Sequence, residues 1–201
     1  RIILDFLSAP KYNQPKNYEE WLRSVYGVYF SKNFPEVYTR KYWTLEAKYL
    51  NTSWIENRMY KPKVEEVLYG AMAEDTKIFY YASEMRYPKK GGYKSFLKYI
   101  ADFNNIQFNK EVVKIDINNK KIYFQDNTSE KYDILISSLP LPELIRMVSY
   151  VPEEVMHASQ MLSFTSGYLV SLGLKKVRSM ENLWSYLYDE DILPSRIYFP
   201  H

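Results

Sequence analysis

The chain has 201 residues, of which 46% are hydrophobic and 25% charged, and this is the composition of a globular protein with one core or two small domains. Its 27 basic and 24 acidic side chains leave a net charge of +3, too small for a typical nucleic-acid-binding protein. Cysteine is absent and only two histidines are present, which excludes disulfides and thiolate metal sites and argues against a histidine-based metal centre or triad. We therefore expect no metal, no nucleic-acid partner and a reducing, cytoplasmic compartment. The sequence has no apolar run of the roughly 20 residues that a membrane span requires.

The first part of the chain has the pattern of several helices. Asn17 is a suitable N-cap, and Glu19 and Glu20 follow in the first turn, where acidic side chains favour a helix. Apolar residues then recur at helical spacing from Leu22 onward. Pro35 is well placed at the start of a further helix.

A double glycine, Gly91–Gly92, precedes a strongly amphipathic run in the middle of the chain. A turn into a helix is the interpretation we favour, because neither G-x-x-x-x-G-K-[ST] nor G-x-G-x-x-G is present. A phosphate cradle is the alternative. The helix should present one apolar face, formed by Tyr93, Phe96, Leu97 and Ile100. Before it, a loop or short strand is expected around residues 78–81.

After this helix the apolar period changes from helical to alternating. "VVKIDI", "KIYFQ" and "YDILISSL" predict three strands, the first two joined by a hairpin at Asn118–Asn119. "LPELIRMV" and "PEEVMHASQML" predict helices, and "SGYLVSLGLK", "LWSYLY" and "SRIYFP" predict further strands. The fold class that follows is α+β, with helices and antiparallel sheets in separate segments.

Basic and aromatic residues lie side by side at several places, such as "RKYW", "RMY" and the stretch from Trp184 to Arg196. An arginine beside aromatic rings suits a ligand that carries both a phosphate and a ring. Surface charge over a packed aromatic core is the alternative, and it stays open at this point. No carboxylate pair has a spacing that demands acid–base chemistry.

Three motifs give a resemblance to a known family. "RYPKKGG" before a helix, the meander "NKEVVKIDINNKKIYF" and the strand "YDILISSLP" resemble the flavin-dependent amine-oxidase-like superfamily, which includes protoporphyrinogen-oxidase-like enzymes and UDP-galactopyranose mutases. The helical segment from "NYEEWLR" to "WIENRM" and the pair "SGYLVSLGLK" and "LWSYLYDEDILPSR" resemble the mutase branch. The resemblance implies FAD as cofactor and a UDP-hexose or similar nucleotide sugar as substrate. Its product would be an isomer of that sugar with no net oxidation, in surface polysaccharide synthesis.

The resemblance also implies site residues. Tyr38 and Trp43 would line the nucleotide pocket, Arg58 and Arg196 would contact the diphosphate, and Trp184 and Tyr186 would flank the sugar or diphosphate. The residues implied at the flavin are Tyr87, Pro88, Gly91 and Gly92, with the backbone of Val112 at the adenine. The sequence departs from the mutase pattern at Thr39, where asparagine is expected, and at Arg40, where a neutral residue is more usual.

The implied organisation has three parts. Residues 1–85 would be a helical substrate-binding segment, residues 86–150 part of a Rossmann-like FAD domain, and residues 151–201 a helix and antiparallel sheet of the substrate domain. Both ends of the sequence are interpreted as cuts, so the phosphate-binding G-x-G-x-x-G would precede Arg1. We expect this piece alone to be inactive and to bind FAD poorly.

Two other functions stay open at this point. One is an amine-oxidase or protoporphyrinogen-oxidase-like FAD dehydrogenase, and the other is a non-catalytic domain that binds carbohydrate or protein. The sequence also leaves open the sugar, the flavin reductant and whether the protein forms a homo-oligomer.

Overall fold

The computed structural model describes residues 1–55, 58–74, 86, 88–102, 104–175 and 184–199. The chain divides into two compact units, one made of Arg1–Tyr87 and Ser171–His201 and the other of Pro88–Val170. Both units combine helices with antiparallel strands, so the α+β fold class is confirmed. The finer assignment of residues 1–85, 86–150 and 151–201 to functional domains stays a prediction.

The first unit begins with helices. They are α1 (Ile2–Leu7), α2 (Tyr18–Tyr26), α3 (Val28–Asn33), α4 (Pro35–Trp43), a 3₁₀ turn (Ala47–Tyr49) and α5 (Val64–Met72). The predicted cap of α2 is confirmed, because the Asn17 side chain accepts a hydrogen bond from the Glu20 N–H at 3.0 Å. Pro35 begins α4, also as predicted.

The core of this unit forms on the inner face of α2. Tyr18, Trp21 and Leu22 are buried there against Ala47 and Ile55. The Tyr18 N–H donates to the Leu50 carbonyl at 2.8 Å, which ties the start of α2 to the segment after the 3₁₀ turn. The helical spacing of apolar residues in the sequence therefore corresponds to a buried face of α2.

A second anchor joins α2 to α4. The Arg23 guanidinium donates to both carboxylate oxygens of Glu36, with distances of 2.9 and 3.1 Å. Glu36 is only 6% exposed, so the pair is largely shielded from water. Removing one partner of such a pair leaves a buried charge uncompensated, which makes the pair a strict constraint on where α4 lies.

The first unit ends in a hairpin. Strand β4 (Trp184–Tyr186) pairs antiparallel with β5 (Arg196–Tyr198), with Trp184 opposite Tyr198 and Tyr186 opposite Arg196. These two strands were predicted. The strand predicted from "SGYLVSLGLK" is wrong, since residues 166–175 form no strand and Tyr168 and Leu172 are almost fully exposed. The apolar alternation is present, but within the described residues this segment has no strand to pair with.

The second unit contains α6 (Lys94–Asp102), three strands and two further helices. The strands β1 (Val112–Asp116), β2 (Lys121–Phe124) and β3 (Ser129–Lys131) form an antiparallel sheet in chain order, followed by α7 (Leu141–Met147) and α8 (Glu153–Gln160). The hairpin and both helices were predicted.

The third strand of that sheet is not the predicted one. A tight turn after Phe124, whose N–H bonds the Thr128 carbonyl at 2.9 Å, brings Ser129–Lys131 back onto β2. The predicted strand "YDILISSL" lies beyond it, and Ile134 and Ile136 are 83% and 91% exposed. Its apolar residues have no sheet partner in the part of the chain that the structure describes.

The double glycine forms the predicted turn into α6. Gly91 and Gly92 both have positive φ, +84° and +60°, a conformation that glycine adopts at no steric cost. The Ser95 hydroxyl and N–H both donate to the Gly92 carbonyl, at 2.8 and 3.1 Å. The predicted loop or strand around residues 78–81 lies outside the described residues.

Two features are absent from the residues that the structure describes. None of the helices found there has the length and apolar character needed to cross a bilayer. Over the same residues, no cluster of three or more histidine and carboxylate side chains could hold a metal ion.

We predict that Gly27→Ala lowers the free energy of unfolding by about 1–3 kcal/mol, the cost of a strained backbone site. Gly27 has φ +82°, and a Cβ added there would lie 2.3 Å from Oδ2 of Asp5. That same oxygen accepts a hydrogen bond from the Tyr29 N–H at 2.6 Å, so it cannot move without uncapping α3. Urea unfolding measures the change. Gly173→Ala is the matched control, because a Cβ there meets nothing within 4 Å, and equal effects of the two variants would contradict the prediction.

We also predict that the protein loses stability between about pH 10 and pH 12. Burial raises the pKa of Tyr26 to about 12, and burial also raises the pKa of Tyr18. The unfolded chain therefore releases these protons first, and the stabilisation, complete below about pH 10, is lost as the pH rises. Tyr26→Phe should reduce the loss by about 1–2 kcal/mol in urea titrations across this range. The exposed Tyr93→Phe should not change it, and an unchanged slope in Tyr26→Phe would refute the assignment.

Candidate functional site

One face of the terminal hairpin carries four large side chains. Because side chains alternate along a strand, Trp184 and Tyr186 of β4 share a face, and so do Arg196 and Tyr198 of β5. The register places Tyr186 opposite Arg196 and Trp184 opposite Tyr198. The sequence patterns W-S-Y and R-I-Y therefore place Arg196 on the same face of the hairpin as the rings of Trp184, Tyr186 and Tyr198.

Helix α4 adds two further rings to this group. Tyr38 and Tyr42, four residues apart, share one face of the helix and stack with ring centroids 5.5 Å apart. Tyr38 also meets Tyr186 edge to face, with centroids 4.9 Å apart. We call the resulting set the Arg196 cluster: Tyr38, Tyr42, Trp184, Tyr186, Arg196 and Tyr198.

The Arg196 guanidinium lies over all five rings of the cluster. Its central carbon is 4.8 Å from the ring centroid of Tyr186, 5.3 Å from that of Tyr198, and 5.7–6.0 Å from the other three. These distances are within the range of cation–π attraction. None of the ion pairs found among the described residues includes Arg196. Its positive charge is therefore held by rings and hydroxyls, with no carboxylate to neutralise it.

The hydrogen bonds of Arg196 leave donors available. One terminal nitrogen donates to the Tyr198 hydroxyl at 2.9 Å, and the other donates to the Tyr38 hydroxyl. The Nε atom is buried and makes no hydrogen bond. A phenol oxygen that accepts a bond still has its own O–H to donate. Each terminal nitrogen of Arg196 also keeps a second N–H. The cluster can thus offer an anion these two N–H groups and the hydroxyls of Tyr38 and Tyr198.

The protonation of these groups suits this role. Burial raises the pKa of Tyr38, against the lowering effect of the Arg196 hydrogen bond and charge, so the phenol keeps its proton at neutral pH. Burial is the largest single effect and acts to lower the pKa of Arg196, but the hydrogen bond to Tyr38 and the electrostatic interactions with Tyr38, Tyr186 and Tyr198 together outweigh it, and the net shift is upward. The guanidinium stays charged and the hydroxyl stays a donor.

A second polar place in this unit is less suited to an anion. A shallow cleft of about 340 Å³ is lined by charged side chains of α2, α3 and α4. Its arginines are already engaged, since Arg23 pairs with Glu19 and Glu36, and Arg40 pairs with Glu190. An anion that used these two arginines would have to displace a carboxylate, whereas the Arg196 cluster requires no such exchange among the described residues.

The structure brings together four of the six predicted substrate residues: Tyr38, Trp184, Tyr186 and Arg196. Trp43 lies at the edge of the group, with its ring 5.2 Å from that of Tyr42. Arg58 is exposed, and no contact with the cluster is found for it in the described residues. Its predicted role at the diphosphate stays a prediction.

The two departures from the mutase pattern have local explanations. Thr39 is 2% exposed, and its hydroxyl donates to the Pro35 carbonyl at 2.6 Å, so it faces the protein interior. Arg40 pairs with Glu190 in the loop between β4 and β5. Neither residue belongs to the Arg196 cluster.

Sequence reasoning missed Tyr42 and Tyr198 as members of the site. Both could have been found from spacing alone, since Tyr42 is four residues after Tyr38 on one helix and Tyr198 is two after Arg196 on one strand. The contact between helix and hairpin, across more than 140 residues of chain, has no such local signal.

The predicted flavin residues lie in the second unit, apart from Tyr87, which is outside the described residues. Gly91 and Gly92 form the turn before α6, and a Cβ at Gly92 would meet nothing within 4 Å. Val112 begins β1, next to a bulge between Val112 and Lys114. The turn is thus open on the Gly92 side, which leaves room for a planar ring to approach the backbone.

Fold and site together define an α+β protein in which an arginine lies among aromatic rings, with no ion pair to a carboxylate of the described residues. The family model for flavin containing amine oxidoreductases matches residues 8–185. The chain therefore belongs to the family of flavin containing amine oxidoreductases. Arg196 and Tyr198 lie just beyond the matched residues.

A solved structure has a similar fold. It is the crystal structure of reduced UDP-galactopyranose mutase, with a TM-score of 0.66 and 20% sequence identity. The similarity covers 79% of this chain but only 36% of that one, so this chain spans little more than a third of the mutase. At this identity the match shows the fold, and the likeness to the mutase expected from the sequence is confirmed at that level.

We predict that Tyr198→Phe lowers the affinity of the full-length protein for inorganic pyrophosphate by about tenfold, the usual loss for one hydrogen bond to a charged group. The ring and its contact with Arg196 remain, so stability should change little. Titration calorimetry measures the affinity. Tyr123→Phe, a tyrosine on β2 in the other unit, is the control. An unchanged affinity in Tyr198→Phe would show that the hydroxyl is not a donor to the anion.

Proposed function

We propose that the chain is the substrate-binding part and a partial FAD-binding part of a flavin-dependent enzyme that acts on a nucleotide sugar. The reaction would be an isomerisation like that of UDP-galactopyranose mutase, in the cytoplasm, for the synthesis of a surface polysaccharide. The single observation that carries this proposal is the Arg196 guanidinium, which lies among five rings and has no carboxylate partner in the described residues.

The Arg196 cluster would bind the diphosphate. The second N–H of each terminal nitrogen of Arg196 and the hydroxyls of Tyr38 and Tyr198 would be donors for phosphate oxygens, and charge-assisted bonds of this kind are short and strong. Trp184 and Tyr186 would pack against the faces of the sugar, and Tyr38 with Trp43 would border the nucleoside. Arg58 would reach the diphosphate from outside the cluster.

The chemistry explains why the site needs a permanent charge. When the bond between the anomeric carbon and the diphosphate breaks, negative charge accumulates on the diphosphate oxygens. A guanidinium already in place stabilises that charge without reorganising. It also keeps the diphosphate bound until the sugar bond forms again.

The flavin would be held in part by the second unit. Tyr87, Pro88, Gly91 and Gly92 would run past its ring, and the backbone of Val112 would meet its adenine. When bound, the flavin would supply the reactive ring. No G-x-G-x-x-G occurs in these 201 residues, so we expect them alone to retain FAD poorly and to be inactive.

Amine oxidation is the second candidate, and the family match itself favours it. The turn at Gly91–Gly92 and the β1–β2–β3 meander would serve either reaction. The two functions differ in what they require of Arg196. A diphosphate substrate needs this cation, whereas an amine substrate carries a positive charge of its own and would be repelled by it.

We predict that Arg196→Ala lowers the affinity of the full-length protein for UDP by about 100-fold, the loss of roughly 2–3 kcal/mol from a charged donor. Affinity for uridine, which lacks the diphosphate, should change little. Titration calorimetry with both ligands gives the comparison, and Arg58→Ala measures the contribution of that residue separately.

Arg146→Ala is the control, since Arg146 is exposed and pairs with Glu143 in the second unit. Unchanged affinity for UDP in Arg196→Ala would contradict the nucleotide-sugar function. Turnover of an amine by the wild-type protein, undiminished in Arg196→Ala, would establish the second candidate instead.

A further inference from the structure

Helix α4 contacts the hairpin through a second face, next to the one that carries Tyr38 and Tyr42. The Lys41 ammonium donates to the carbonyl oxygens of Leu187, at 2.9 Å, and Asp189, at 2.7 Å. Both carbonyls belong to the loop that joins β4 to β5. One lysine therefore fastens the first residues of this loop to the helix.

Lys41 differs from Arg40, the other cation of the helix, in having carbonyl partners. In the residues that the structure describes, no carboxylate forms an ion pair with it. An ammonium has three donors, so it can satisfy two loop carbonyls at once. Bonds with a charged donor are stronger than neutral ones, which suits a loop whose own hydrogen bonds are few.

The neighbouring ion pair adds to the same contact but contributes less. Arg40 pairs with Glu190 at the tip of the loop, and these side chains are 40% and 61% exposed. Exposed pairs of this kind contribute little to stability. Lys41 is thus the stronger of the two connections between the helix and the loop.

Two hydrogen bonds of Leu187 connect Lys41 to the residue before Arg196. The carbonyl of Leu187 is held by Lys41, and the N–H of the same residue donates to the Ser195 carbonyl at 3.0 Å. Arg196 follows Ser195 directly. Tyr38, which accepts a hydrogen bond from Arg196, lies one turn before Lys41 on α4. Helix, loop and arginine thus form a closed ring of contacts.

We propose that Lys41 is a positioning residue that fixes the β4–β5 loop on α4 and so holds Arg196 against Tyr38 before the ligand arrives. This inference rests on the proposed binding of a diphosphate by Arg196. Without Lys41 the guanidinium is still present, but ordering it becomes part of the cost of binding. Two of the three donors of Lys41 are used by the loop carbonyls, so its proposed effect on the ligand is through Arg196.

Lys41→Met tests this role in the full-length protein, with UDP as the probe and titration calorimetry as the measurement. We expect UDP affinity to fall by about 5- to 20-fold, as for the loss of hydrogen bonds with a charged donor. Lys41→Arg, which can also donate to two carbonyls, should restore most of the affinity. Lys48→Met, at an exposed lysine that pairs with Glu46, should have no effect.

A double-mutant cycle separates positioning from a general loss of structure. In an Arg196→Ala background, Lys41→Met should cause no further loss of UDP affinity, because there is no guanidinium left to position. An equal loss in both backgrounds, or none in either, would overturn the proposal. If Lys41→Met proves too unstable to purify, Lys41→Gln, which keeps one amide donor, takes its place in the cycle.

The same cycle distinguishes this inference from the proposed function. If Arg196→Ala alone leaves UDP affinity unchanged, the diphosphate function is wrong and the positioning role is wrong with it. If Arg196→Ala weakens UDP binding but Lys41→Met does not, only the positioning role is wrong.

Discussion

The bidentate ion pair between Arg23 and Glu36 fixes α4 on α2, and the geometry of the candidate site follows from the position of α4. Glu36 is almost completely buried, so its carboxylate must keep the guanidinium as partner. The helix cannot rotate about its axis without separating the two groups. This constraint fixes the orientation of the nine-residue helix α4.

The remaining faces of α4 each contact a different part of this unit. The face that carries Tyr38 and Tyr42 supplies rings for Arg196. Arg40 and Lys41, which lie between these tyrosines in sequence and point away from that face, hold the β4–β5 loop. The buried Thr39 fills the side towards the protein interior. Because consecutive residues on a helix point about 100° apart, a segment this short can contact the core, the loop and the ligand site at once. The basic residue at position 40 is therefore explained by its ion pair with Glu190 of the loop.

Local patterns in the sequence predicted the local structure well. Asn17 and Pro35 mark helix starts because capping and proline geometry depend on neighbouring residues alone. The alternation around Trp184 and Arg196 likewise predicted two strands, although it did not predict that they pair with each other. The same alternation failed at residues 132–139 and 166–175, because a strand exists only where another strand accepts its hydrogen bonds. The resemblance to a family named Arg196, but neither it nor spacing could show that Lys41 reaches Leu187, a contact between residues 146 apart in sequence.

The electrostatics of the cluster bear on which substrates it can accept. A partly buried guanidinium without a counter-ion loses hydration energy, and the five surrounding rings return only part of it, since each cation–π contact contributes about 0.5–2 kcal/mol. An anion beside the guanidinium would reduce this deficit, because it would supply the opposite charge. A protonated amine in the same place would increase the deficit. Under the proposed function, the diphosphate of a nucleotide sugar would supply the opposite charge.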